Sequence, residues 1–153
     1  MIGKPTTPQL LATIKAELND KIAPALTEPT LTVAVTMINS MLDALAIRAE
    51  HEMAWMRDEC AAVEAAAARF DGADGMASVS AALAAYRGAC SDSLHLTDVQ
   101  ADYDRATEVL SCLADAAYAS ESADAIRAVE QLIDQRLATE LAVVGTFVAA
   151  GRE

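Results

Sequence analysis

Residues 30–70 read TLTVAVTMINSMLDALAIRAEHEMAWMRDECAAVEAAAARF, and this stretch decides the fold. It contains neither proline nor glycine, the two residues that most disfavour a helix interior. Leu31, Val35, Ile38, Leu42, Leu45, Ala49, Glu52, Met56, Glu59, Val63, Ala66 and Phe70 follow a nearly regular 4-3 spacing. That is the 3.5-residue period of a seam buried against other helices. The spacing predicts one helix over about residues 30–70, about 60 Å long at ~1.5 Å per residue. Asp71-Gly72-Ala73-Asp74-Gly75 then ends it, with glycine free to take the left-handed cap conformation.

Upstream, Thr7 is placed to cap a first helix and Pro8 to occupy its first turn. Leu10, Leu11, Ile14 and Leu18 would form its apolar face, and Pro24 and Pro29 bracket the exit. Downstream, a third helix is expected from Met76 to Cys90, with Val79, Leu83 and Tyr86 on one side. Thr97 can cap a fourth, carrying Val99, Tyr103, Val109, Leu110 and Leu113. Ser120 or Ser122 can cap a fifth, whose stripe of Ile126, Val129, Ile133, Leu137, Val144 and Phe147 would run to Gly151. No segment alternates with the period of two that marks a strand. The expected fold is all-α: a single domain over residues 1–153, an antiparallel bundle of about five helices built around the long one.

The chain has 153 residues and a formal charge of -12. Apolar residues make up 54% and aromatic residues 4%, because 35 residues are alanine. Alanine on facing surfaces lets helices approach closely, but each buried alanine removes little area from water. A core this thin favours a partner subunit. The expected dimer contact lies on helix five, apolar on more than one side over Leu141–Val144 and Phe147-Val148, or on helix two. The acidic excess argues against nucleic acid, which needs clustered Lys and Arg. It is uneven: residues 71–121 carry -7, and residues 1–29 are neutral.

Cys60, Cys90 and Cys112 are odd in number and show no CxxC spacing, so neither a disulfide framework nor a zinc site is expected. No signal peptide is read at the N-terminus. The apolar run Leu141–Ala150 is about half the ~20 residues that span a bilayer. The reading is therefore a cytoplasmic protein with no membrane and no cofactor, bacterial on its alanine and arginine bias.

Candidate site residues come from polar groups on the seams. Glu52 and Glu59 fall on the seam of helix two, and Glu140 beside the stripe of helix five. Arg48 precedes Glu52 by four residues and Arg136 precedes Glu140 by four, the spacing of helical ion pairs. Trp55 lies with Arg48 and His51 on the side of helix two next to the seam. These seven residues could line a polar pocket between helices two and five. A carboxylate-bridged metal pair would need Glu-x-x-His motifs, and neither His51 nor His95 has Glu three residues before it. No nucleophile sits in a Gly-flanked turn, and no phosphate-binding glycine loop is present.

His51-Glu52 resembles the phosphoacceptor box of dimerising histidine kinases, without that family's following basic residue and proline. Asp92-Ser93-Leu94 resembles the tripeptide that carries phosphopantetheine in acyl carrier proteins, without the helix that follows it there. Over about the first 60 residues, Pro5, Leu10-Leu11, Pro24-Ala25-Leu26 and Arg48-Ala49-Glu50-His51-Glu52 resemble a family of small uncharacterised bacterial helical proteins. Its genes are often found beside acyl-CoA dehydrogenases and aminoglycoside-phosphotransferase-like kinases. The resemblance implies an accessory role near such chemistry. The expected function is a dimeric accessory or protein-interaction bundle without evident catalytic machinery, leaning to a non-enzyme. The alternatives are a small-molecule-binding bundle and, more remotely, a histidine phosphotransfer module.

Overall fold

The computed structural model describes residues 3–144. The described residues form five helices and no strand: α1 (Thr7–Glu17), α2 (Pro29–Ala68), α3 (Ala77–Ala89), α4 (Leu96–Ala119) and α5 (Ala123–Val144). The 40-residue α2 is the uninterrupted helix that its breaker-free sequence predicts. The expected end of helix five at Gly151, with Phe147 and Val148, lies outside the described residues.

The helix ends follow local chemistry, with small shifts from expectation. α1 is capped at Thr6 rather than Thr7, and the Thr6 N–H donates to Gln9 Oε1 at 2.9 Å. Its exit is a π-helical turn, Leu18–Ile22, and then a 3-10 turn, Ala23–Ala25, where Pro24 cannot supply an N–H. After α2, Gly72 and Gly75 take φ of 75° and 80°, and the Gly72 N–H donates to Ser80 Oγ at 2.9 Å. His95, not Thr97, is the N-cap of α4. α4 ends in a Schellman motif: the Ser122 N–H reaches the Ala117 carbonyl and the Glu121 N–H the Tyr118 carbonyl. Glu121 carries that turn at φ 51°, a conformation usually left to glycine.

The described chain falls into two compact units, one holding residues up to Glu52 with those from Leu141 onward, the other Met53–Glu140. The second unit holds nearly all of the core. Cys60, Val63 and Ala67 of α2, Val79, Leu83 and Tyr86 of α3, Val109, Leu113 and Ala117 of α4, and Ala125, Val129 and Leu132 of α5 are buried together. Each fully buried Val or Leu stabilises by about 1.5–3 kcal/mol. In the first unit only Val35 is buried among the described apolar residues. There polar contacts tie α2 to α1 and to the π-helical turn after it. Lys15 Nζ lies 2.6 Å from both Asp43 carboxylate oxygens, and the Asn19 and Asn39 side-chain amides exchange hydrogen bonds at 3.2 and 2.8 Å.

Two predicted stripes are rotated. On α2, Leu31, Ile38 and Leu45 are exposed, and Cys60 and Ala67 are buried where Glu59 and Ala66 were expected. On α5 the inward stripe is Ala125, Ala128, Val129 and Leu132, while Ile133 and Leu137 face out. Among the described residues, α2 contains an 18-residue window of mean hydropathy 1.6, of which 6% is buried. By length and composition alone this helix could cross a membrane.

Candidate functional site

The second unit brings α2, α4 and α5 together around one carboxylate. Arg136 of α5 donates from Nε to Glu59 Oε1 at 2.7 Å and from Nη2 to Thr107 Oγ1 at 3.1 Å. The Tyr103 hydroxyl donates to Glu59 Oε2 at 3.1 Å. The guanidinium carbon sits 5.4 Å from the centre of the Tyr103 ring, within cation–π range. Burial by itself lowers the Arg136 pKa, but the hydrogen bond and charge of Glu59 outweigh it and raise the value. Burial and the Glu59 carboxylate together push the Tyr103 hydroxyl up. Both shifts favour the protonated forms, the Arg136 cation and the Tyr103 hydroxyl, beside Glu59.

A cleft of about 160 Å³ opens beside it, lined by Trp55, Asp58, Glu59, Gln135, Arg136 and Thr139. Three of the seven predicted residues, Trp55, Glu59 and Arg136, thus meet at one place. The described lining of the cleft does not include the other four. Glu140 is exposed and acts on Arg136 only through its charge, while the hydrogen bonds of Arg136 run across helices to Glu59 and Thr107. Arg48 does pair with Glu52, its Nε 2.8 Å from Oε1, but both lie in the first unit. His51, in that unit too, is exposed with Nε2 3.9 Å from Glu50 Oε2.

The strongest electrostatic centre escaped the sequence reading. Asp102 of α4 is fully buried and is the only charged side chain so placed among the described residues. Its carboxylate accepts from Arg57 Nη1 at 2.8 Å, Arg105 Nη1 at 3.0 Å and the Ser91 N–H at 3.2 Å. Arg57 also donates to the Ser93 carbonyl at 2.5 Å. Burial alone would raise the Asp102 pKa, but the Ser91 N–H and the two arginines outweigh it and lower the value. The cluster pins the α3–α4 connection to α2. A signal was present: Val99, Asp102, Ala106, Val109 and Leu113 share one helical face, so an aspartate interrupts an apolar stripe. Its partner Arg57 is 45 residues away, beyond any local rule.

These arrangements limit the chemistry. The described lining of the cleft includes no histidine, serine or cysteine to act as nucleophile or neutral base. Its volume is below the ~300–1,000 Å³ usual for small-molecule sites. A second groove of about 300 Å³ runs between α3 and α4, walled by Ala82, Ala85, Tyr86 and Ala89 with Arg105 and Glu108 at its edge. Among the described residues, no group of three or more His, Cys, Asp or Glu is placed to hold a metal ion. No protein-family model, curated protein or solved structure matches this chain.

Proposed function

We propose that the chain is a helical protein-interaction module, with the second unit as its rigid scaffold and the apolar surface of the first unit as its working face. One observation carries the reading. Nine large apolar side chains of the first unit, from Leu10 to Leu45, are each close to half exposed or more, led by Met41 at 63% and Met37 at 60%. A monomer surface seldom leaves such a concentration open to water without a partner. Methionines suit a contact surface because they adapt to the shape opposite them. The polar clusters of the second unit are internally satisfied, which fits a supporting role.

The test is chemical crosslinking of a tagged chain in the cells that make it. Recovery with a protein in fixed stoichiometry, whether a further copy or a different chain, is the expected result. That recovery should be lost when Met37 and Met41 are both replaced by glutamate. A chain that stays monomeric and recovers nothing would overturn the reading.

A further inference from the structure

Resting on the interaction reading, we infer that the occupant of the exposed α2 face is a second copy of this chain, joined through Leu31, Ala34, Ile38, Met41 and Leu45. Four observations point to it. At ~100° per residue, Leu31, Val33, Ala34, Met37, Ile38, Met41 and Leu45 fall in one arc of about 160°, and all seven are exposed. Within the arc, positions 31, 34, 38, 41 and 45 repeat at 3-4 spacing, the pattern that meets another helix by knobs-into-holes packing. A stripe of this kind is complementary to itself across a two-fold axis.

The charge distribution selects the same occupant. The chain carries -12, so two copies repel over most of their surfaces. Between Pro29 and Ile47 the one charged residue is Asp43, on the opposite side of α2 and neutralised by Lys15. The arc is thus a place where a like-charged copy can approach without repulsion. The area is sufficient as well. Six large side chains about half exposed present on the order of 500 Å² per copy, so a pair buries about 1,000 Å², the lower bound of a specific interface.

A lipid surface fits less well. Helices that lie on bilayers carry Lys and Arg on their polar side, whereas here that side holds Thr32, Thr36 and Ser40, each bonded back to the carbonyl four residues before. An acidic chain is also repelled by anionic headgroups.

The experiment is sedimentation of the full chain over a wide concentration range, for the wild type, Ile38→Glu, Met41→Lys and Leu137→Glu. The expected result is a wild-type dimer whose dissociation constant rises on the order of 100-fold in each α2 variant. Leu137→Glu, at an exposed position of α5, should change it by less than about twofold. Circular dichroism should be unchanged in all three, since each site is exposed. A wild-type monomer at every concentration overturns the inference. So does a dimer dissociated by Leu137→Glu and not by Ile38→Glu, which would place the contact on α5. Binding of a monomer to phosphatidylcholine vesicles, lost in Ile38→Glu, overturns it in favour of lipid. A different protein recovered through the same face overturns the second copy while the interaction reading stands; no partner at all removes both.

Discussion

The two halves of α2 belong to one helix yet live in different solvents. From Met53 to Ala68 it contributes Cys60, Val63 and Ala67 to a shared core, and its charged residues Arg57 and Glu59 are held by α4, α5 and the α3–α4 connection. From Pro29 to Glu52 it buries one apolar side chain, and an ion pair to α1 and an amide pair to the π-helical turn after it supply the polar links. The half richer in large hydrophobic residues is the more exposed one. Size alone does not decide burial here: the second unit takes in Val63, Leu83 and Leu113 beside Ala67, Ala117 and Ala125, while Leu31, Ile38 and Leu45 of the first unit stay exposed.

The contrast breaks most visibly under large-to-small substitution. Leu113→Ala, at a site closed to water, should cost about 2–5 kcal/mol, whereas Ile14→Ala in α1, 54% exposed, should stay within about 0.5 kcal/mol. Urea unfolding of both variants checks the difference. Equal costs would mean that the first unit is as tightly built as the second.

Asp102→Ala comes next. It leaves Arg57, whose side chain is 26% exposed, without its carboxylate, and should cost about 3 kcal/mol, the low end for a broken buried pair. The same group sets a pH dependence. Its folded pKa is lowered, so its stabilisation is complete above the unfolded value near 3.9 and is lost as pH falls towards and through the lower folded value. The gap in unfolding midpoint between wild type and Asp102→Asn should therefore be wide at neutral pH and close in strong acid. A gap independent of pH would show that the carboxylate charge is not what holds the loop.

Two smaller effects sharpen the comparison at helix level. Glu121→Gly relieves the left-handed strain at the end of α4 and should stabilise the second unit by about 0.5–1 kcal/mol, seen as a raised Tm. Arg48→Ala removes an exposed i,i+4 pair in the first unit and should cost no more than about 0.5 kcal/mol. A larger loss would show that Arg48 does more than neutralise Glu52.

How much of this was legible follows from what each feature depends on. The helices were readable because their signals are local: no breaker between Thr30 and Phe70, two glycines after it, a serine before α5. The orientation of the helices was not. A reading that assigns Ile133 and Leu137 to the core assumes that large residues go inside, and in this alanine-rich unit Ala125 and Ala128 take that place. The site was half legible for the same reason. Glu59, Trp55 and Arg136 stand out on their own helices, but the Arg136–Glu59 bond spans 77 residues and competes with a local Glu140 that the sequence equally allows.

The three cysteines give the second unit a built-in clock. Cys90 is exposed, Cys112 is half-buried and Cys60 is almost sealed, with burial pushing the thiol pKa of the latter two up. Alkylation proceeds through the exposed thiolate, so a thiol reagent should mark Cys90 first, Cys112 later and Cys60 only when the core opens. The order of labelling then times local breathing against global opening, in one unit of the molecule and without any added probe.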